Sequence, residues 1–170
     1  MTPAHHGDDV PTLVVGSRGL LGSAVVRSLR ARGRTVTTVS VPWADAAGAP
    51  DALAAALVDL ARLAAGGPWQ VAWCAGSGVT GSAGDTIERE VTTMRRWIDL
   101  VLAAAPHALP SGRVFLASSA GGLYAGASGP PFDERTPPVP LSPYGRGKLA
   151  MEAEMARVAT VGGARLLVGR

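Results

Sequence analysis

The β-branched run Thr12-Leu13-Val14-Val15 leads without a break into Gly16-Ser17-Arg18-Gly19-Leu20-Leu21-Gly22. The next residues place Leu20, Leu21, Val25, Val26 and Leu29 near helical spacing, until Gly33 ends the segment. A buried strand, a glycine turn and a helix start in that order leave few choices of fold. A helix N-terminus offers free N–H groups and the positive end of its dipole, which suit a pyrophosphate. Glycines in the turn let the backbone approach the phosphates and the helix pack on the strand. The spacing is G-x-x-G-x-x-G, not the commoner G-x-G-x-x-G. Thr35 to Val41 reads as a second strand, which completes a β-α-β unit within about thirty residues, as a dinucleotide-binding fold requires. Gly16, Arg18, Gly19, Leu20, Leu21 and Gly22 are therefore the expected cofactor contacts at this turn.

The rest of the chain continues the alternation. The second strand ends Val39-Ser40-Val41-Pro42, without the acid that often binds an adenosine ribose. Arg18 in the turn and Arg34 before the strand are guanidinium groups that could meet a 2′-phosphate, which tilts the expected cofactor toward NADP over NAD. Asp51 to Ala65 reads as a helix closed by Gly66-Gly67-Pro68. Trp69 to Cys74 is a strand followed by Ala75-Gly76-Ser77-Gly78, and the small residues Ala75 and Gly76 would let a cofactor approach the carboxyl edge of the sheet. Cys74 reads as a buried small residue. Thr86 to Ala105 is a long amphipathic helix with Ile87, Val91, Met94, Ile98 and Val101 at core spacing. Pro106 stops it, and His107 falls in the loop beyond. Arg113 to Ala117 is a strand that delivers Ser118 and Ser119 at its carboxyl end. Ala125 to Leu141, rich in proline and glycine, is a loop expected to cover the site. Arg165 to Val168 is a further strand.

Ser142-Pro143-Tyr144-Gly145-Arg146-Gly147-Lys148 contains the only lysine of the chain, against fifteen arginines, and one of its two tyrosines. Ser142 suits an N-cap and Pro143 the first helical position. In such a helix Tyr144 and Lys148 share a face. An ammonium beside a phenol favours the phenolate, the requirement for a tyrosine that exchanges protons with a substrate.

Other function classes find little support. A chain 47% hydrophobic and 17% charged has the material for one packed domain. The arginines are spread out with no aromatic-plus-basic cluster, so no nucleic-acid partner is expected despite the net charge of +3. A single cysteine excludes an internal disulfide framework. No segment is long enough for a transmembrane helix, and no basic-then-apolar leader opens the chain, so a cytoplasmic location without a membrane partner is expected. His5 and His6 lie in a polar leader, and no residue set is assigned to a metal.

Taken together, the chain resembles the extended short-chain dehydrogenases/reductases, the NAD(P)-dependent sugar epimerase/dehydratase family. The resemblance rests on the Gly16-x-x-Gly19-x-x-Gly22 turn, the Ser118-Ser119 strand end with Leu123-Tyr124 beyond it, Pro131-Phe132-Asp133-Glu134, and Ser142-Pro143-Tyr144-x-x-x-Lys148. It implies an α/β fold with a doubly wound, Rossmann-like parallel sheet, and an enzyme acting on a nucleotide-linked sugar. Tyr144 would be the acid/base, and Lys148 would assist it and bind the nicotinamide ribose. Ser119 would orient the substrate oxygen, with Ser118 in reserve. The short span from Val41 to Asp45 resembles the nucleotide-sugar reductases of the family and makes Asp45 a candidate contact to adenine. The family's long helix often carries an asparagine at the site; this chain has no asparagine, and Glu90 lies near that position. Relatives continue well past the last strand. Residues 1–170 are thus expected to form a single NAD(P)-binding domain, with the sheet incomplete at its C-terminus and the substrate domain largely absent. A homodimer is expected by the same analogy. A non-catalytic dinucleotide-binding sensor or scaffold is the alternative.

Overall fold

The structure is a computed structural model that describes residues 9–45, 47–76, 84–104 and 109–170. The sequence readings on His5, His6, Ser77, Gly78, Ala105, Pro106 and His107 lie outside those residues. In chain order the elements are β1 (Thr12–Val15), α1 (Leu20–Ala31), β2 (Val36–Val39), α2 (Gly48–Ala64), β3 (Trp69–Trp73), α3 (Gly84–Ala104), β4 (Gly112–Ala117), α4 (Ala120–Leu123), α5 (Pro143–Thr160) and β5 (Arg165–Gly169). A 3₁₀ turn at Leu109–Ser111 precedes β4.

The strands form one parallel sheet in the order β2-β1-β3-β4-β5. The chain moves outward from β1 to β2, then returns past β1 to build β3, β4 and β5 on the other side. Right-handed crossovers therefore put α1 on one face and the later helices on the opposite face. Packing bears this out. Val26 of α1 meets Val14 and Ala72 on one face, joined by Val25, Leu29 and Phe115. On the other face Leu53 and Leu60 of α2, Met94 and Ile98 of α3, and Met151 and Met155 of α5 pack with Leu13, Val71, Trp73 and Leu116. The sheet is doubly wound, as expected. Leu13, Val14 and Val15 are fully buried, which follows from a central strand covered on both sides. The change of direction between β1 and β3 opens a crevice at the carboxyl ends of the strands, where folds of this kind bind ligands.

Several boundaries differ from the sequence reading. β2 stops at Val39, two residues early, and the chain turns after Pro42, at Trp43 and Ala44. α2 starts at Gly48, three residues before the expected Asp51, since Asp45 accepts hydrogen bonds from the N–H groups of Ala47 (3.0 Å) and Gly48 (2.9 Å). The serine strand end is followed by the single helical turn α4, which begins when Ser119 Oγ accepts the Gly122 N–H at 3.1 Å. Leu20 and Leu21 belong to α1 but stay on the surface, with Leu20 92% exposed. No helix of the described residues is long and apolar enough to cross a membrane.

Candidate active site

The glycine turn is shaped by close approach. Gly16 has φ +85°, which L side chains rarely adopt, and a Cβ there would lie 2.6 Å from the Ala75 backbone nitrogen. A Cβ on Gly22 would lie 2.1 Å from Gly16 O, so the first turn of α1 rests directly on the loop it leaves. Gly19 is the N-cap and supplies no side-chain partner. The N–H groups of Leu20, Leu21 and Gly22 open α1 without carbonyl partners from a preceding helical turn, the arrangement that suits an anion. Leu20 and Leu21 would reach a ligand through their backbone, since their side chains are exposed.

Beside this turn lies a cleft of about 300 Å³ lined by Gly16, Ser17, Arg18, Gly19, Val39, Ser40, Val41, Trp43, Cys74, Ala75 and Gly76. It runs along the carboxyl ends of β2, β1 and β3. Gly16, Arg18, Gly19, Ala75 and Gly76 come together here as expected. Arg34 and Asp45 lie apart from this lining. Arg34 sits before β2, at the opposite edge of the sheet, where it approaches Asp9 at 4.0 Å. Asp45 does not line the cleft: its carboxylate caps the start of α2, and those backbone hydrogen bonds, Gly48 first and Ala47 second, hold it below the usual carboxylate range. Burial pushes the Cys74 thiol up, away from the thiolate a nucleophile needs.

Along the same edge, α5 presents Tyr144 and Lys148. Ser142 Oγ accepts the Gly145 N–H at 3.1 Å and Pro143 opens the helix, as the capping pattern predicts. Glycines let α5 seat deeply: a Cβ on Gly145 would lie 2.2 Å from Gly122 O, and one on Gly147 2.0 Å from Ile87 Cγ2. The Tyr144 ring packs beside Gly122, and the buried Lys148 places Nζ 5.8 Å from that ring's centre and 3.5 Å from Ala117 O. A methyl group on Gly76 would come within 3.3 Å of Lys148 Nζ and 3.5 Å of Glu90 Oε2. The end of β3 therefore faces the lysine and the buried Glu90 carboxylate together.

The two serines have different commitments. Ser118 donates its hydroxyl proton to Glu152 Oε1, whereas Ser119 accepts from Gly122 N and keeps its own proton to donate. Glu152, with Arg170 and Tyr124, is a polar group the sequence reading missed. Arg170 donates from Nε and Nη2 to Glu152 and from Nη1 to the Tyr124 hydroxyl, which itself donates to Asp133 O. Those hydrogen bonds, Glu152 before Tyr124, hold the guanidinium above the ordinary arginine range. The one signal available was that Glu152 stands four residues after Lys148 on the same helix. The Tyr124 contact to Asp133 also ties the 125–141 loop to the end of α4.

The comparisons with known proteins agree with this architecture. The family model of the NAD dependent epimerase/dehydratase family matches residues 12–170. No curated protein sequence matches the chain significantly. Among solved structures, the chain is similar to a UDP-glucose 4-epimerase from Thermus thermophilus in complex with NAD (21% identity, TM-score 0.71, 94% of this chain and 54% of that one). It is similar to a short-chain dehydrogenase/reductase superfamily protein from Agrobacterium tumefaciens with bound NAD (27% identity, TM-score 0.67, 92% and 47%). It is also similar to MoeE5 in complex with UDP-glucuronic acid and NAD (26% identity, TM-score 0.68, 94% and 52%). The chain spans about half the length of these structures. With a family match running from the first residue of β1 to the last residue of the chain, and a glycine-turned parallel sheet to match, the chain belongs to the NAD dependent epimerase/dehydratase family.

Proposed function

We propose that residues 1–170 are a dinucleotide-binding domain whose carboxyl edge carries proton-transfer groups for NAD(P)-dependent chemistry on a nucleotide-linked sugar. The observation that carries this reading is that Tyr144 and Lys148 stand together on α5, with Lys148 Nζ facing Gly76 at the end of the glycine-turn cleft and Tyr144 packed beside Gly122, whose N–H Ser119 accepts. The fit to a dinucleotide rests on Gly16 and Gly22, where a Cβ would collide with the Ala75 and Gly16 backbones that give the turn its shape, and on the open N–H groups of α1. When bound, the nicotinamide supplies the hydride donor or acceptor. Arg18 and Ser40 line the cleft and no carboxylate does among the described residues, which favours NADP over NAD.

In this reading Tyr144 exchanges a proton with the substrate oxygen, and Lys148 holds a positive charge next to that tyrosine while reaching toward the ribose. Ser119 donates its free proton to the same oxygen. Ser118 plays no direct part, since its proton is held by Glu152. Positioning and charge placement at the developing oxyanion account for most of the rate.

The test is Tyr144→Phe, assayed for turnover of UDP-glucose and UDP-glucuronic acid and for cofactor binding. General acid/base catalysis contributes roughly 10²–10⁴ in rate, so the variant should lose turnover by about that factor and keep cofactor affinity. Unchanged turnover in the variant sinks the assignment of Tyr144.

A further inference from the structure

We propose that Trp43 is the aromatic wall against which the adenine ring of the dinucleotide stacks, an inference that rests on the cofactor reading above. The anion site at the start of α1 fixes where a pyrophosphate lies, and the ligand has to leave it in two directions. Toward β3 and β4 lie Gly76, Lys148 and Tyr144, the groups that face a reacting centre. The adenosine half is left the β2 side of the crevice, where the cleft is closed by Val39, Ser40, Val41 and Trp43.

Of these, only Trp43 offers a flat π surface, and the turn after β2 fixes its place. Trp43 N–H donates to Val41 O at 3.0 Å, and Asp45 N–H donates to Pro42 O at 2.8 Å. Behind the indole stands Trp73, in an edge-on contact with ring centres 6.4 Å apart and planes at 71°. Trp73 is itself locked against Trp97 at 5.1 Å. Three of the four tryptophans, Trp69, Trp73 and Trp97, are at most 5% exposed. Trp43 alone is half-buried, with Trp73 against it and the cleft beside it. A second hollow, which Trp43 shares with Arg89 and Arg96, lies along α3, so the indole stands as a partition between two clefts. Asp45, the residue expected at the adenine, has both of its backbone partners in the start of α2. Stacking on an aromatic ring is tolerant of the base and needs no hydrogen-bond partner, which suits a strand end without an acid.

The experiment titrates the 170-residue chain and its Trp43→Ala and Trp43→Phe variants with NADPH, ADP-ribose and nicotinamide mononucleotide, by calorimetry and tryptophan fluorescence. ADP-ribose should quench the wild-type fluorescence, because the half-buried indole is the one it covers. Trp43→Ala should weaken NADPH and ADP-ribose by about tenfold or more and leave nicotinamide mononucleotide unchanged. Trp43→Phe should recover most of the loss. Equal affinities for ADP-ribose in wild type and Trp43→Ala, or equal losses for both half-cofactors, overturn the stacking role while the cofactor reading stands. A wild-type chain that binds none of the three ligands overturns both. Should Trp43→Ala fail to fold, the wild-type quench and the Trp43→Phe affinity decide: binding of ADP-ribose without a quench, or a roughly tenfold loss in Trp43→Phe, counts against the wall.

Discussion

Arg170 grips both carboxylate oxygens of Glu152, with Nε at 3.1 Å from Oε1 and Nη2 at 2.6 Å from Oε2. Through its remaining arm, 2.7 Å from the Tyr124 hydroxyl, it ties the end of β5 to α5 and to the segment after β4. Glu152 is buried, so removing the guanidinium leaves a carboxylate with Ser118 as its remaining hydrogen-bond donor. Hydrogen bonds to charged groups contribute about 1.5–3 kcal/mol, and Arg170→Met should lower unfolding stability in urea by about that much. Arg170→Lys should recover only part, because an ammonium lacks the planar fork.

Gly147 sets the distance between α5 and α3. The methyl of Gly147→Ala would meet Ile87 Cγ2 at 2.0 Å, and a β-branched side chain inside a helix has little rotamer freedom to move away. Overpacking of this kind costs about 1–3 kcal/mol, to be read from the urea midpoint. The paired variant Gly147→Ala with Ile87→Val keeps the offending methyl and should remain destabilised; Ile87→Ala in the Gly147→Ala background should recover the part due to the clash.

A second tie between α3 and α5 is ionic and depends on pH. Burial opposes the charge on Glu154, but hydrogen bonds from Arg95 (2.6 Å) and Arg157 (3.0 Å) outweigh it and hold the carboxyl below its ordinary value of 4.5. A carboxyl depressed in the folded state stabilises fully above its unfolded value and loses that contribution as pH falls through the folded one. The stability difference between wild type and Glu154→Gln should therefore be constant near neutrality and shrink below a pH of about 4.5. It should also narrow in high salt, since Arg95 is half exposed. A difference that stays constant from neutral to acid pH would remove Glu154 as the source.

Local patterns made much of the fold readable in advance. The glycine turn, the alternation of β-branched runs with amphipathic helices, and the Ser142-Pro143 start of α5 each depend on neighbours within a few residues, and the chain obeys them. The placement of Tyr144 and Lys148 together on α5 was readable for the same reason, the two being one helical turn apart. What was not readable lies where a side chain had a choice of partners. Asp45 had the right distance from β2 for a ligand contact, yet the nearer N–H groups of Ala47 and Gly48 take its carboxylate. Arg34 could be counted as close to β2, but residues before a parallel strand sit at the edge away from the crevice. The pairing of Glu152 with Arg170 joins two residues eighteen positions apart, and only the packing of α5 on β5 brings them together. Trp43 looked like one more residue in a short connection until the sheet placed it at the rim of the cleft.

The central claim is that the carboxyl edge of this sheet holds a nicotinamide dinucleotide. Its most direct test is calorimetric titration of the folded chain with NADPH and with NADH, alongside Gly22→Val, whose side chain would collide with Gly16 O. The expected result is saturable one-to-one binding, tighter for NADPH, and lost in Gly22→Val. Failure of the folded wild-type chain to bind either cofactor, or binding that Gly22→Val leaves intact in a folded state, would contradict it.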